Sequence, residues 1–243
     1  MMKTKKTVAN RNILLLLFLF AVTNLIFCQS NNDLFNNMLN RMGGVELWKE
    51  TKSLHIVEQM RAKALPEIIR QEIWRDLTKP ATRFHLKSES MDRTRAFDEV
   101  QGWGILENGK SYSFNADRIK NEKMVWKRNF ITICHHIANG SKNYTIKEKE
   151  GYILEVYNTT GEELLCTIEL DGTFAPIKWE SDIGGEVETY IYGPLKQFGK
   201  YNLPSWWTSS DGHWQYHYLS FSGSNKSPNI SFLPPEDFKV DKD

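Results

Sequence analysis

The chain has 243 residues, with 31 Lys and Arg against 30 Asp and Glu, six His and three Cys. That length supports a full hydrophobic core, and no concentration of basic charge marks the chain for nucleic acid. Aromatic residues make up 12 %, with eight Trp, which favours a large sheet surface, a ligand cleft or both.

Residues 1–28 read as a secretory signal peptide. Lys3, Lys5, Lys6 and Arg11 precede the unbroken apolar run Ile13 to Val22, which is too short to span a bilayer comfortably. Cleavage before Gln29 follows from the small Cys28. The alternative is lipidation of Cys28, against which the bulky Phe27 argues. Loss of the four leader cations leaves the mature chain net negative, at −3. Export permits a Cys134–Cys166 disulfide, but the positions of both also fit burial as free thiols, and that reading is preferred.

Asn31 to Arg41 predicts a short helix broken by Gly43-Gly44, and Val45 to Glu50 adds one more turn. The period then changes to two. Strands are expected at Leu54–Ala64, Ile68–Leu77, Thr82–Lys87 and Asp92–Glu99. Gln101–Leu106 and Ser111–Phe114 flank the hairpin turn Glu107-Asn108-Gly109. Ala116 to Ile137 carries the longest helical signal. Ile119, Trp126, Phe130, Ile133 and Ile137 fall on one face, Asn115 is the N-cap, and Asn139-Gly140 is the stop.

Alternation returns after the helix. Strands are expected at Lys142–Lys149, Tyr152–Val156, Leu164–Leu170, Phe174–Trp179, Glu186–Tyr192, His213–Phe221 and Asn229–Leu233. Phe198–Leu203 reads as loop, and Trp206-Trp207 as an exposed pair. Short strands joined by glycine turns around one helix argue for an α+β, mostly β, fold. Its core is one large antiparallel sheet, strongly curved or barrel-like, with the apolar face of the central helix laid on it. One domain is expected over residues 29–235, followed by a charged tail at 236–243.

No catalytic constellation survives inspection. His135-His136 lacks the further ligands of a metal site and reads as solvent-exposed. His213 and His217 sit on a strand, where a four-residue separation spans about 13 Å, too far to share one metal. Glu162-Glu163 and Asp98-Glu99 point to opposite faces. Glu186 and Glu188 share one, without an aromatic pocket placed by the sequence. Ser205, Ser209 and Ser210 lack a nucleophile elbow.

The order of the punctuation is more specific than any one mark. A short helix runs into Gly43-Gly44 and Trp48. The Trp74 strand, Gly102-Trp103-Gly104, a mid-chain helix, and Asp171-Gly172 with Pro176 follow. Leu203-Pro204, Asp211-Gly212 and Asn229 to Phe232 with Pro234 close the series. In this order the chain resembles the periplasmic outer-membrane lipoprotein-carrier and sorting superfamily (LolA/LolB-like). The resemblance implies a sheet curled into an unclosed barrel, an N-terminal and a central helix across its open side, and a hollow that accepts acyl chains. For the arginine that latches the lid in the lipoprotein carrier, Arg61, Arg70 and Arg75 are candidates by position, and none is carried over.

The expected function is a non-enzymatic envelope protein, exported to the periplasm, or anchored to the outer membrane if Cys28 is lipidated. It would bind lipid or lipoprotein acyl chains, with a role in lipoprotein sorting to the outer membrane. A monomer is expected, without cofactor, metal or nucleic acid, and with the membrane surface or envelope proteins as further partners. The sheet residues expected to line the apolar hollow are Leu54, Ile56, Met60, Phe84, Leu86, Leu164, Ile168, Leu170 and Trp179; Trp126, Phe130 and Ile133 would face it from the helix. The competing expectation is an interaction protein of the same fold with a filled core, docking through Trp206-Trp207.

Overall fold

The structure is a computed structural model and describes residues 33–239. The signal segment, Cys28 and the end of the charged tail lie outside the described residues. From Leu34 onward the chain clusters as one compact unit.

Two short helices open this unit, α1 (Asp33–Arg41) and α2 (Val45–Glu50). Phe35, Met38 and Leu39 of α1 and Trp48 of α2 are fully buried. Gly43 between them sits at φ 119°, and an added Cβ would lie 2.7 Å from the Lys200 carbonyl oxygen. Only glycine suits both the conformation and the close approach.

Six strands come after them: β1 (Ser53–Ala62), β2 (Ile68–Asp76), β3 (Ala81–Lys87), β4 (Asp92–Phe97), β5 (Gly102–Ile105) and β6 (Ser111–Ser113). Two helices come next, α3 (Ala116–Arg128) and α4 (Phe130–Ala138). The second half contributes β7 (Tyr144–Lys149), β8 (Ile153–Asn158), β9 (Leu164–Leu170), β10 (Pro176–Ile183), β11 (Glu186–Tyr192), β14 (Trp206–Ser209) and β15 (Trp214–Ser224). Between β11 and β14 lies a separate hairpin, β12 (Leu195–Phe198) with β13 (Tyr201–Pro204).

Thirteen strands form one curved, unclosed antiparallel sheet in the order β6-β5-β4-β3-β2-β1-β15-β14-β11-β10-β9-β8-β7. The two edges are β6 and β7, and α3–α4 is the stretch of chain that joins them. A connection from one edge to the other must cross a face of the sheet, so the helices lie over the concave side. Trp126 Nε1 of α3 donates to the Asp76 carbonyl at the end of β2, 2.8 Å away. Arg128 donates to the Asp182 carbonyl on β10 and to Glu163. One helix therefore ties the first half of the sheet to the second.

Four sequence expectations are corrected. The central helix is two helices, because Asn129 adopts extended backbone (φ −65°, ψ 132°) and its side chain accepts from the N–H groups of Ile131 and Thr132, capping α4. His135 is buried, not exposed: its Nδ1 donates to the Trp48 carbonyl at 3.0 Å, docking α4 on α2. The segment 198–203 is not loop but lies within the β12–β13 hairpin, whose Asn202 donates to the Met42 and Arg41 carbonyls. Residues 229–233 form no strand. They pass as irregular chain over the outer face, where the Trp103 indole donates to the Phe232 carbonyl at 2.8 Å and Arg83 to that of Ser231.

A fifth correction concerns β9. Alternation placed Leu164 inside, in phase with Cys166 and Ile168. The pairing with β8 instead shifts between Val156↔Cys166 and Tyr157↔Leu164, so Leu165 is the extra residue of a bulge. Leu164 is 43 % exposed and Leu165 only 1 %. Leu165→Ala is expected to cost about 2–5 kcal/mol in denaturant unfolding and Leu164→Ala less than about 0.5 kcal/mol. Equal costs would restore the unbroken register.

Candidate functional site

Period-two geometry sends alternate side chains of every strand to the concave face. On β1 these are Leu54, Ile56, Glu58 and Met60; on β2 they are Ile69, Ile73 and Arg75, with Gln71 between. Register sets Ile56 opposite Ile73 and Phe221, Glu58 opposite Gln71 and Tyr218, and Leu54 opposite Arg75. The concave face is therefore apolar at one level and polar at the next.

Between this face and the α3–α4 break lies a hollow of about 300 Å³. Ile56, Ile73 and Phe84 line its first-half wall. Trp179, Ile183, Tyr190, Tyr192 and Trp207 line the other, and Val125, Asn129, Phe130 and Ile131 form the helical cover. The aromatic wall is a continuous set of contacts. Trp207 stacks on Tyr216 with centroids 3.5 Å apart and planes 7° from parallel; it meets Tyr190 edge-on at 4.8 Å, and Tyr190 stacks on Trp179 at 5.5 Å. Phe130 reaches from the helix to Tyr192, 5.5 Å away.

Of the residues expected to line an apolar hollow, the structure brings Ile56, Phe84, Phe130 and Trp179 to it. Leu54, Ile133, Ile168 and Leu170 are buried in the packed core beneath. Met60 is buried further along β1, and Leu86 is half-buried on β3. Trp126 packs in a separate small cluster with Phe97 and Phe114. Leu164 faces outward, through the β9 bulge. Trp206 and Trp207 are each half-buried, not an exposed pair: Trp207 is part of the wall, and Trp206 lies against Gly193.

The polar lining was not foreseen. Glu58 and Arg75 are 2 % and 8 % exposed, and both line the hollow. Burial pushes the Glu58 carboxyl up to about 8, against the pull of Arg75, and lowers the Arg75 guanidinium to about 10. Burial also raises the hydroxyls of Tyr190, Tyr192, Tyr216 and Tyr218, so all four stay neutral. The signal that could have found Glu58 is the period-two pattern, in which it is a charged residue in phase with Ile56 and Met60. Arg75 lay in phase with Ile73 in the same way.

The remaining sequence candidates lie elsewhere. His213 Nδ1 pairs with Asp211 at 2.7 Å on the exposed β14–β15 turn. His136 packs against Trp126 and Tyr144, and burial brings its pKa down to about 4. Cys134 and Cys166 are free and buried, and burial pushes the Cys166 thiol up to about 12. Arg61 and Arg70 are exposed, which separates them from Arg75. Among the described residues no cluster of three or more His, Cys, Asp or Glu is placed to hold a metal ion, and no helix is long and apolar enough to cross a membrane.

Glu58 makes stability depend on pH. An unperturbed glutamate titrates at 4.5, and the buried one at about 8. Between these values the folded protein holds a proton that the unfolded chain has released. Its contribution is full below pH 4.5 and is lost as pH rises toward 8, at up to about 1.4 kcal/mol per pH unit. Glu58→Gln is expected to flatten that slope and to raise the melting temperature at pH 8 relative to wild type. A variant whose melting temperature follows the wild-type slope would show that Glu58 titrates normally.

No protein-family model matches the chain, and no curated protein matches it. Solved structures do. One is a domain from Vibrio parahaemolyticus whose name assigns it to outer membrane lipoprotein sorting, at 12 % identity over 82 % of this chain and 94 % of that one, TM-score 0.45. Another is a LolA superfamily protein from Nitrosomonas europaea, at 10 % identity over 80 % and 93 %, TM-score 0.46. A third is a DUF1329 family protein from Desulfovibrio piger, at 6 % identity over 78 % and 90 %, TM-score 0.42. The structures similar to this chain thus include the group that its sequence resembles, at an identity that says nothing of activity.

Proposed function

We propose that the protein is a non-enzymatic binding protein of the cell envelope that holds an acyl chain in the hollow between its curved sheet and its helical cover. The observation that carries this reading is the hollow itself. It is roofed by helices, floored by Ile56, Ile73 and Phe84, and walled by aromatic rings in contact from Trp179 through Tyr190 and Trp207 to Tyr216. At about 300 Å³ it sits at the small end of ligand pockets, which run from about 300 to 1,000 Å³. It suits one slender chain better than the several chains of a lipoprotein. Each methylene seated there contributes roughly 0.8 kcal/mol, so a chain of ordinary length needs no covalent attachment.

The basic start and apolar run of residues 1–28 support export to the periplasm. A place in lipoprotein sorting is the finer form of the proposal. The resemblance in the order of turns and aromatic residues supports it.

The test uses the purified mature chain, incubated with dodecanol, methyl dodecanoate and dodecanoate together, then re-purified. Mass spectrometry of its organic extract is expected to show a stoichiometric dodecyl compound. Ile183→Trp, which fills the hollow from the side of β10, is expected to lower that uptake severalfold at a stability cost of about 1–3 kcal/mol. Absence of any dodecyl compound from the wild-type extract would overturn the proposal.

A further inference from the structure

Arg75 presents a charge that the protein leaves unanswered. Its side chain lies more than nine-tenths buried and lines the hollow. Its Nε has no hydrogen-bond partner, and only charges at a distance act on it, from Glu58, Glu122 and Tyr218. A guanidinium carries five N–H donors in a planar fork, never loses its proton near neutrality, and is costly to bury unpaired.

The nearby acids do not discharge it. Glu122 is engaged by Arg95 at 3.0 Å and by Arg118 at 4.0 Å. Glu58 sits two side-chain levels away on β1, opposite Gln71, whereas Arg75 lies opposite Leu54. Burial keeps Glu58 largely protonated at neutral pH. Glu188 also lines the hollow, but it is exposed and accepts from the Tyr190 hydroxyl at 2.9 Å. Arg95 also lines the hollow but is paired with Glu122; among the described residues Arg75 is the lining guanidinium left without an ion-pair partner. Trp179 and Trp207 line the same space, and their indole N–H groups have no acceptor in good geometry, although Trp207 lies near enough to Tyr218, and Trp179 to Cys166, to lower the pKa of each.

Resting on the acyl-chain reading, we propose that the ligand is a single-chain amphiphile with a carboxylate head, and that Arg75 receives the carboxylate. The chain lies along Ile56, Ile73 and Phe84, and the head replaces the counter-charge that the protein omits. A monoanion balances one guanidinium, and a planar carboxylate matches its fork with two parallel N–H···O bonds. A phosphate monoester brings a larger head and up to two charges to a site with one unpaired cation.

The test measures binding of dodecanoate, dodecanol and dodecyl phosphate at neutral pH, below their micelle or solubility limits, by isothermal titration calorimetry. Wild type is expected to bind dodecanoate about tenfold or more tighter than dodecanol. Arg75→Gln and Arg75→Met are expected to bring the two within about twofold, through loss of dodecanoate affinity. A cooperative thermal unfolding transition shows that either variant is folded.

Equal wild-type affinities for acid and alcohol would overturn the carboxylate assignment and leave the acyl-chain reading standing. Failure of all three probes to bind wild type would overturn both. An Arg75-dependent preference for dodecyl phosphate over dodecanoate would overturn the choice of head group.

Discussion

The ladder between β1 and β15 is the interaction on which the rest of the structure depends. Ten residues of β1, Ser53 to Ala62, pair with the last strand of the sheet, more than 150 positions away. On one side of that seam lie the six strands from before the helices, and on the other the strands from after them. Without it there are two half-sheets and no concave face. A contact of such sequence separation is costly in loop-closure entropy, and the site exists only where the pairing offsets that cost.

The seam also explains the mixed character of the hollow. Pairing β1 with β15 brings Tyr218 beside Glu58, and pairing β1 with β2 adds Gln71 on the other side. These side chains come from three strands and share one level. The level nearer the start of β1 is Phe221, Ile56 and Ile73. A ligand lying across the strands therefore meets one chemistry, and a ligand lying along them passes from one chemistry to the other. The second orientation suits a molecule with two unlike ends.

Much of this was legible in the residues. Alternation and turn glycines placed most strands within a few positions, and Asn115 caps α3 as its type and place suggest. The large curved antiparallel sheet followed from the short strands and their glycine turns, and its being unclosed from the family resemblance. What alternation could not show were breaks in alternation itself. The bulge at Leu165 shifts Leu164 to the outside by one residue, and a one-residue slip reverses every face it touches. Asn129 looked like a polar residue within a helix, yet its side chain makes it a cap. The hollow was expected to be apolar because apolar residues announce an inner face. Ile56, Phe84, Phe130 and Trp179 do line the hollow, the other expected residues lie elsewhere, and the wall also takes in residues that the expected apolar lining left out: Glu58, Arg75, Tyr190, Tyr216 and Trp207.

An open sheet of thirteen strands has two edge strands, and their composition bears on whether copies of the molecule join side by side. β6 offers only three residues, Ser111 to Ser113, and β7 ends in the charged run Lys147-Glu148-Lys149. Short or charged margins are poor templates for another chain's backbone. The edges of the sheet are thus poorly suited to the addition of a second copy that would extend it into a fibre.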